Sequence, residues 1–156
     1  MVARALALLL VLTACRARDA DFAAMQERGR MVMGVDQYTS AHVFEDLPDG
    51  GRVVLDRDST ATGDTIGVAT IRQHMRDIAA AFQAGDFSKP FQVHAQVVPG
   101  TAVMQARRAG ITYEVVERPR GGEVRIRSAD PTAVAAIHEF LAFQRAGHHA
   151  DAHEAP

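Results

Sequence analysis

Two stretches of the chain alternate apolar and polar residues on either side of a short turn that contains glycine. The first turn is Pro48-Asp49-Gly50-Gly51 and the second is Pro119-Arg120-Gly121-Gly122. Around the second turn the apolar positions are Ile111, Tyr113, Val115, Val124 and Ile126. A period of two is typical of strands that bury one face, and glycine adopts the positive φ of a tight hairpin turn at little cost. The pattern therefore predicts two β-hairpins.

The second hairpin helps to define the register of the first, which is ambiguous on its own. Matching the two turns places Phe44, Val53 and Leu55 on the buried face. His42 then takes the position that Tyr113 holds in the second hairpin. We therefore expect the side chain of His42 to point into the core.

A helix is predicted after each hairpin. Asp64 or Thr65 is a candidate N-cap for the first helix, which Gly85 ends, whereas Asp130 caps the second and Pro131 fits its first position. The apolar positions at helical spacing are Ile71, Met75, Ile78 and Phe82 in the first helix, and Val134, Ile137 and Leu141 in the second. The predicted fold class is α+β, an antiparallel sheet with helices packed on one face, built from two ββα-like halves in pseudo-repeat.

The N-terminus carries an export pattern. Arg4 precedes an unbroken apolar run at residues 5–12, and two small residues precede Cys15. Because a membrane span needs roughly 20 apolar residues, this shorter run indicates a secretory signal. The sequence Leu12-Thr13-Ala14-Cys15 resembles the lipobox of bacterial lipoproteins, which implies cleavage before Cys15 and diacylation of its sulfur. The residue after the cysteine is Arg16 rather than aspartate, which favours the periplasmic side of the outer membrane.

These patterns divide the chain into four parts. Residues 1–14 are the predicted signal peptide, and residues 15–30, rich in Ala, Asp, Glu and Arg with little apolar periodicity, are the predicted lipid-anchored tether. Residues 31–147 form the predicted single α+β domain. Residues 148–156 are a polar, histidine-rich tail that we expect to be disordered.

Composition narrows the function. With 17 Lys and Arg against 19 Asp and Glu, the formal net charge is -2, which argues against nucleic acid as a partner. Cys15 is the only cysteine, so its lipidation leaves no thiol for a disulfide, a thiolate metal site or a nucleophile. The sequence has no Gly-x-Ser-x-Gly, Ser-x-x-Lys, His-Glu-x-x-His or phosphate-loop motif. We therefore predict no catalytic residues and do not expect an enzyme.

The histidines and methionines of the domain are the candidate binding residues. Imidazole and thioether groups suit Cu(I), and Met33 and Met104 occupy equivalent places before the two hairpins. The candidate metal ligands are His42, His94, Met33 and Met104. The alternative is that these side chains simply fill the core. His74 and His138 border the helical stripes as either pocket or packing residues, and His148, His149 and His153 form a weak metal-binding group in the tail.

The segments Leu47-Pro48-Asp49-Gly50-Gly51 and 136–144, Ala-Ile-His-Glu-Phe-Leu-Ala-Phe-Gln, resemble a largely uncharacterised family of small exported bacterial proteins. Some members carry the label aspartate carbamoyltransferase. That label does not suit this chain, which lacks a Ser-Thr-Arg-Thr type phosphate loop and is too short for a two-domain enzyme. Extra histidines and methionines near the N-terminus of some relatives imply copper by analogy.

The function predicted from the sequence is that of an exported lipoprotein, anchored to the membrane through lipid on Cys15. Its domain would be a non-enzymatic binding module for copper or another small ligand. The alternative is a structural or adaptor lipoprotein that contacts an envelope protein partner.

Overall fold

A four-stranded antiparallel sheet forms the centre of the fold. In the computed structural model, which describes residues 20–34, 39–61, 63–148 and 150, the strand order is β1-β2-β4-β3. The strands are β1 (Ser40–Leu47), β2 (Gly50–Arg57), β3 (Ile111–Arg118) and β4 (Gly121–Ser128). Each strand has eight residues and each pair is joined by a two-residue turn, Pro48-Asp49 or Pro119-Arg120. Both predicted hairpins and the α+β class are therefore confirmed.

In the described part of the chain, five helices accompany the sheet. Residues 20–33 are helical and are called α1. The others are α2 (Thr65–Gln83), α3 (Ser88–His94), α4 (Thr101–Ala106) and α5 (Pro131–His148), with a short 3-10 turn at Arg108–Gly110. None of the helices within the described ranges combines the length and apolar character needed to cross a membrane.

Each long helix begins at the predicted cap. The Asp64 carboxylate accepts a hydrogen bond from the backbone N–H of Gly67 at 2.8 Å, and the Asp130 carboxylate accepts one from Thr132 at 2.9 Å. The helix α2 packs mainly on β3 and β4, whereas α5 packs mainly on β1 and β2. Each helix thus covers chiefly the hairpin of the other half, which joins the halves in one core.

The predicted inward face is the buried one. Phe44 pairs with Val53 and His42 pairs with Leu55 across β1 and β2, and Leu55 is only 1% exposed. Residues buried on the same face of the second hairpin include Ile111, Val124 and Ile126. His42 therefore points toward the helices, as the matched turns predicted.

The start of the fold differs from the expectation. The sequence predicts a tether at residues 20–30, but these residues belong to α1. This helix packs on the domain through the buried side chain of Met25. Arg28 Nε also donates a hydrogen bond of 2.8 Å to the carbonyl of Val93. The sequence shows no clear apolar stripe for α1, because Gln26 and Gly29 occupy two of the buried positions of this helix. Residues 1–14, and Cys15 with the rest of the tether to residue 19, lie outside the described residues.

The end of the domain also differs from the expectation. The sequence predicts that His148 belongs to the disordered tail, whereas it is the last residue of α5. The helix continues because Gln144 and His148 extend the stripe of Ile137 and Leu141 at helical spacing. His149 and His153 lie outside the described residues.

Candidate functional site

A cavity of about 70 Å³ lies between the sheet and the helices, beside β1 and β2. It is called the histidine cavity, and α1, α2, α3 and α5 all contribute to its wall. The side chains with N or S atoms that could act as ligands are Met33, His42, His74, Met75, Gln144 and His148. Among the described residues of its wall there is no aspartate or glutamate. Its possible ligands are therefore imidazole, thioether and amide groups, and Lys89 also places an ammonium group in the described wall.

His42 enters this cavity from β1. Its ring stacks on Phe44, with ring centroids 5.8 Å apart, and on His148, with centroids 4.8 Å apart and planes inclined by 28°. Burial lowers the pKa of His42 to about 4, and the nearby His74 contributes in the same direction. His42 is therefore neutral at pH 7, with a lone pair on one ring nitrogen.

His148 lies between His42 and His94. The ring centroids of His94 and His148 are 5.2 Å apart and the two planes are nearly perpendicular, at 88°. A strand, a short helix and the last turn of a long helix thus bring three histidines together. The sequence pattern does not identify His148, the middle histidine, because it predicts this residue to lie in the tail. The helical spacing of Leu141, Gln144 and His148 is the signal that could have identified it.

His94 is held in one orientation. It is 8% exposed at the end of α3, and its Nε2 donates a hydrogen bond of 2.7 Å to Oε1 of Gln144. Since Nε2 carries the proton, the lone pair is on Nδ1. Burial lowers the pKa of His94, although the hydrogen bond with Gln144 acts in the opposite direction.

The two histidines at the borders of the helical stripes have different surroundings. His74 lines the histidine cavity, and its pKa is lowered to about 4, first by burial and then by the positive charge of Lys89. His138 instead donates from Nε2 to the carbonyls of Leu47 and Gly50, at 3.0 and 2.8 Å. His138 therefore fixes the first hairpin turn against α5.

The structure brings together part of the predicted ligand set. His42 and Met33 line the same cavity, and His94 lies beside it, next to His148. Met104 is fully buried in the core and, unlike Met33, does not line the cavity. Met75 also lines the cavity, although the sequence pattern identifies it only as an apolar core position of α2. Within the described ranges no group of three or more His, Cys, Asp or Glu side chains could hold a metal ion.

The outward face of the sheet has a different character. Arg52 pairs with Glu45 at 2.5 Å and with Glu123 at 3.6 Å, and Arg118 pairs with Asp56 at 3.0 Å and with Glu123 at 3.7 Å. These ion pairs cross all four strands. Two arginines thus balance two of the three carboxylates within the molecule.

Comparisons of the chain with models of known families, with curated proteins and with solved structures gave no match. Its function must therefore be inferred from its own residues.

Proposed function

We propose that this protein is a lipid-anchored envelope protein whose domain binds Cu(I) in the histidine cavity, with His42, His148 and Met33 as ligands. The observation that carries the proposal is the approach of the His42 and His148 rings to 4.8 Å in a small cavity that Met33 also lines. Imidazole nitrogen and thioether sulfur are ligands that suit this ion.

The size of the cavity favours an ion over an organic ligand. Pockets for organic molecules usually measure about 300–1,000 Å³. The histidine cavity measures about 70 Å³, which accommodates an ion but not a molecule of that class.

The distances between the rings suit a shared ion. Protein imidazole nitrogens bind metals at about 2.0 Å, so the ring centres of two such ligands are about 5 Å apart at a tetrahedral angle. The centroids of His42 and His148 are 4.8 Å apart. The two rings are stacked, with planes inclined by 28°, so they would have to turn out of the stack for their in-plane lone pairs to meet at one ion.

The protonation state of His42 also supports metal binding. A protonated imidazole has no lone pair for a metal, and burial keeps the pKa of His42 at about 4. The ligand is therefore available without a proton having to leave at neutral or mildly acidic pH. Carboxylates, which harder ions such as Mg²⁺ and Ca²⁺ prefer, are absent from the described wall of the cavity.

The membrane anchor is the part of the proposal that the sequence supports. Lipidation of Cys15 would leave a short connection to α1, which is helical from residue 20 in the described structure. The folded body would then stay near the membrane surface, on the periplasmic side of the outer membrane. The alternative of an adaptor that binds an envelope protein has less support. The arginines Arg52 and Arg118 on the outward face of the sheet form ion pairs within the molecule, so they are less available to a partner.

A competition titration tests the metal site. The full chain carrying His149→Ser and His153→Ser, which removes histidines of the tail, is titrated without oxygen against a chromogenic Cu(I) chelator of known affinity. We expect one tightly bound Cu(I) per molecule. Equal affinity in the His42→Phe variant, or no retention of Cu(I) by the parent, would contradict the proposal.

Methionine variants provide a matched control for the titration. Met33→Leu removes a proposed sulfur ligand, whereas Met104→Leu makes the same chemical change in the core, outside the cavity. We expect about tenfold weaker binding for Met33→Leu, equivalent to about 1.4 kcal/mol. Met104→Leu should bind like the parent.

A further inference from the structure

An open groove runs beside the histidine cavity, between α1, α3 and α5. Its volume is about 680 Å³, and Met25, Arg28, His94, Phe143 and Gly147 are among the residues that line it. His94 and Met25 thus place an imidazole and a thioether in the wall of this groove, where both side chains are largely buried, at 8% and 5% exposed. These are the same two ligand types that the cavity contains.

The ligand atoms of His94 and Met25 face one small region of α5. A Cβ atom built on Gly147 would lie 3.2 Å from His94 Nδ1 and 3.7 Å from Met25 Sδ. Because Gly147 has no Cβ, the small space between its Cα and these two groups is not filled by a side chain of its own. The nitrogen that faces this space is the one with the lone pair, because Nε2 of His94 donates to Gln144.

His148 connects the groove to the cavity. Its ring is 5.2 Å from the ring of His94 and 4.8 Å from the ring of His42, measured between centroids. His148 also lines the cavity, whereas His94 lines the groove. A ligand side chain is therefore available at each step from solvent to the interior.

We infer that His94 Nδ1 and Met25 Sδ form an entry site for Cu(I), from which the ion passes by way of His148 to the histidine cavity. This inference rests on the proposed function. The transfer is a ligand exchange in which the bonds from copper to Nδ1 and Sδ break as bonds to His148 and then His42 form. Copper remains Cu(I) throughout, and each imidazole binds it through a nitrogen that carries no proton.

The entry site makes a prediction about rates that the cavity site alone does not make. A ligand on the route should affect how fast copper enters, and a ligand at the destination should affect how tightly it is held. Met25→Leu keeps most of the side-chain volume and removes the sulfur. Met33→Leu makes the same change in the cavity, and Met104→Leu makes it in the core.

The experiment follows Cu(I) transfer from a chromogenic chelator complex to the full chain carrying His149→Ser and His153→Ser, by stopped-flow absorbance without oxygen. We expect Met25→Leu to load at least tenfold more slowly than the parent, with an equilibrium affinity within threefold of it. Met104→Leu should match the parent in both quantities. A thermal melt of each variant checks that the fold is retained.

A second variant, Gly147→Ala in α5, tests the same site by adding a methyl group to it. Gly147→Ala places a methyl group 2.8 Å from Cε1 of His94, in the space assigned to the ion. We expect slow loading here also, with the ion still held in the cavity once equilibrium is reached. If Gly147→Ala fails the melt test, Met25→Leu alone decides the outcome.

The other outcomes each overturn the inference. If Met25→Leu loads as fast as the parent, the entry site is wrong and the cavity site stands. If Met25→Leu weakens the affinity as much as Met33→Leu does, Met25 belongs to the final site rather than to the route. If the parent retains no Cu(I) at equilibrium, the proposed function and the entry site fail together.

Discussion

Val53 pairs directly with Val124 at the centre of the sheet, and each is the fourth residue of its strand. The two residues are therefore equivalents, and a pseudo-twofold axis relating the hairpins passes between them. His42 and Tyr113 are equivalents in the same sense, as the third residues of β1 and β3. The repeat is symmetric in its backbone, but the imidazole occurs in only one half. The candidate site thus arises where the two halves differ.

The stability of the metal-free protein should fall between pH 6.5 and pH 4. His42 and His74 have folded pKa values of about 4 against 6.5 for the unaffected group, so in this range the unfolded chain binds more protons. Their contribution is complete above pH 6.5 and is lost as the pH falls toward 4. At about 1.4 kcal/mol per pKa unit, each histidine accounts for about 3 kcal/mol at most.

Urea unfolding at pH 7 and pH 4.5 measures this effect, with His42→Phe as the comparison. The cavity also contains His148 and the Lys89 side chain, whose positive charge opposes protonation of His74. We expect the variant to lose less stability than the parent across this interval, by about 2 kcal/mol. An equal loss in both proteins would show that His42 does not titrate in this way.

Gly147→Ala should destabilise the metal-free fold by about 1–3 kcal/mol, because its methyl group overlaps His94. Gly110→Ala is the matched control, since a Cβ on Gly110 meets no atom within 4 Å among the described residues. Thermal unfolding of the two variants measures the difference. Equal melting temperatures would mean that α3 moves aside without cost.

Tyr113→Phe should leave stability unchanged or raise it by up to about 1 kcal/mol. The Tyr113 hydroxyl is buried and has no hydrogen-bond partner within the described part of the chain, so its removal ends a desolvation penalty. Burial also raises the pKa of this hydroxyl, which keeps it neutral. Denaturant unfolding at pH 7 checks the prediction, and a loss of more than 1 kcal/mol would contradict it.

Cys15→Ser tests the anchor. The proposed lipid would hold the full chain in the membrane fraction, whereas the variant has no thiol left to acylate and should carry no acyl chains. Intact mass of the purified protein measures the acyl chains directly. An unmodified Cys15 in the parent, or the same acyl mass in parent and variant, would rule out lipidation at this position.

The hairpins and long helices could be predicted because local pattern and tertiary burial agree in them. Val124 and Ile126 alternate as a half-buried strand should, and Asp64 and Asp130 mark helix starts with a defined capping chemistry. The repeat of the turn then placed His42 on the inward face. Matching equivalent residues was thus sufficient for the inward face of the first hairpin, whereas the strand order β1-β2-β4-β3 was not predicted.

The helical ends and the complete histidine cluster could not be predicted in the same way. The stripe of α1 includes Gln26 and Gly29, and that of α5 ends in Gln144 and His148, so polar residues occupy buried positions. Their burial depends on partners that are distant in sequence, such as the hydrogen bond between His94 and Gln144. The prediction for Met104 failed for a different reason. Met104 and Met33 hold equivalent positions before the two hairpins, but only Met33 lines the histidine cavity.

X-ray absorption spectroscopy of the Cu(I)-loaded protein tests the central claim most directly. The sample is the full chain with His149→Ser and His153→Ser, loaded with one equivalent of Cu(I). We predict nitrogen ligands at about 2.0 Å together with sulfur at about 2.3 Å, and loss of the sulfur shell in Met33→Leu but not in Met104→Leu. A spectrum with nitrogen or oxygen ligands alone, or a sulfur shell unchanged in Met33→Leu, would contradict the assignment of the histidine cavity as the copper site.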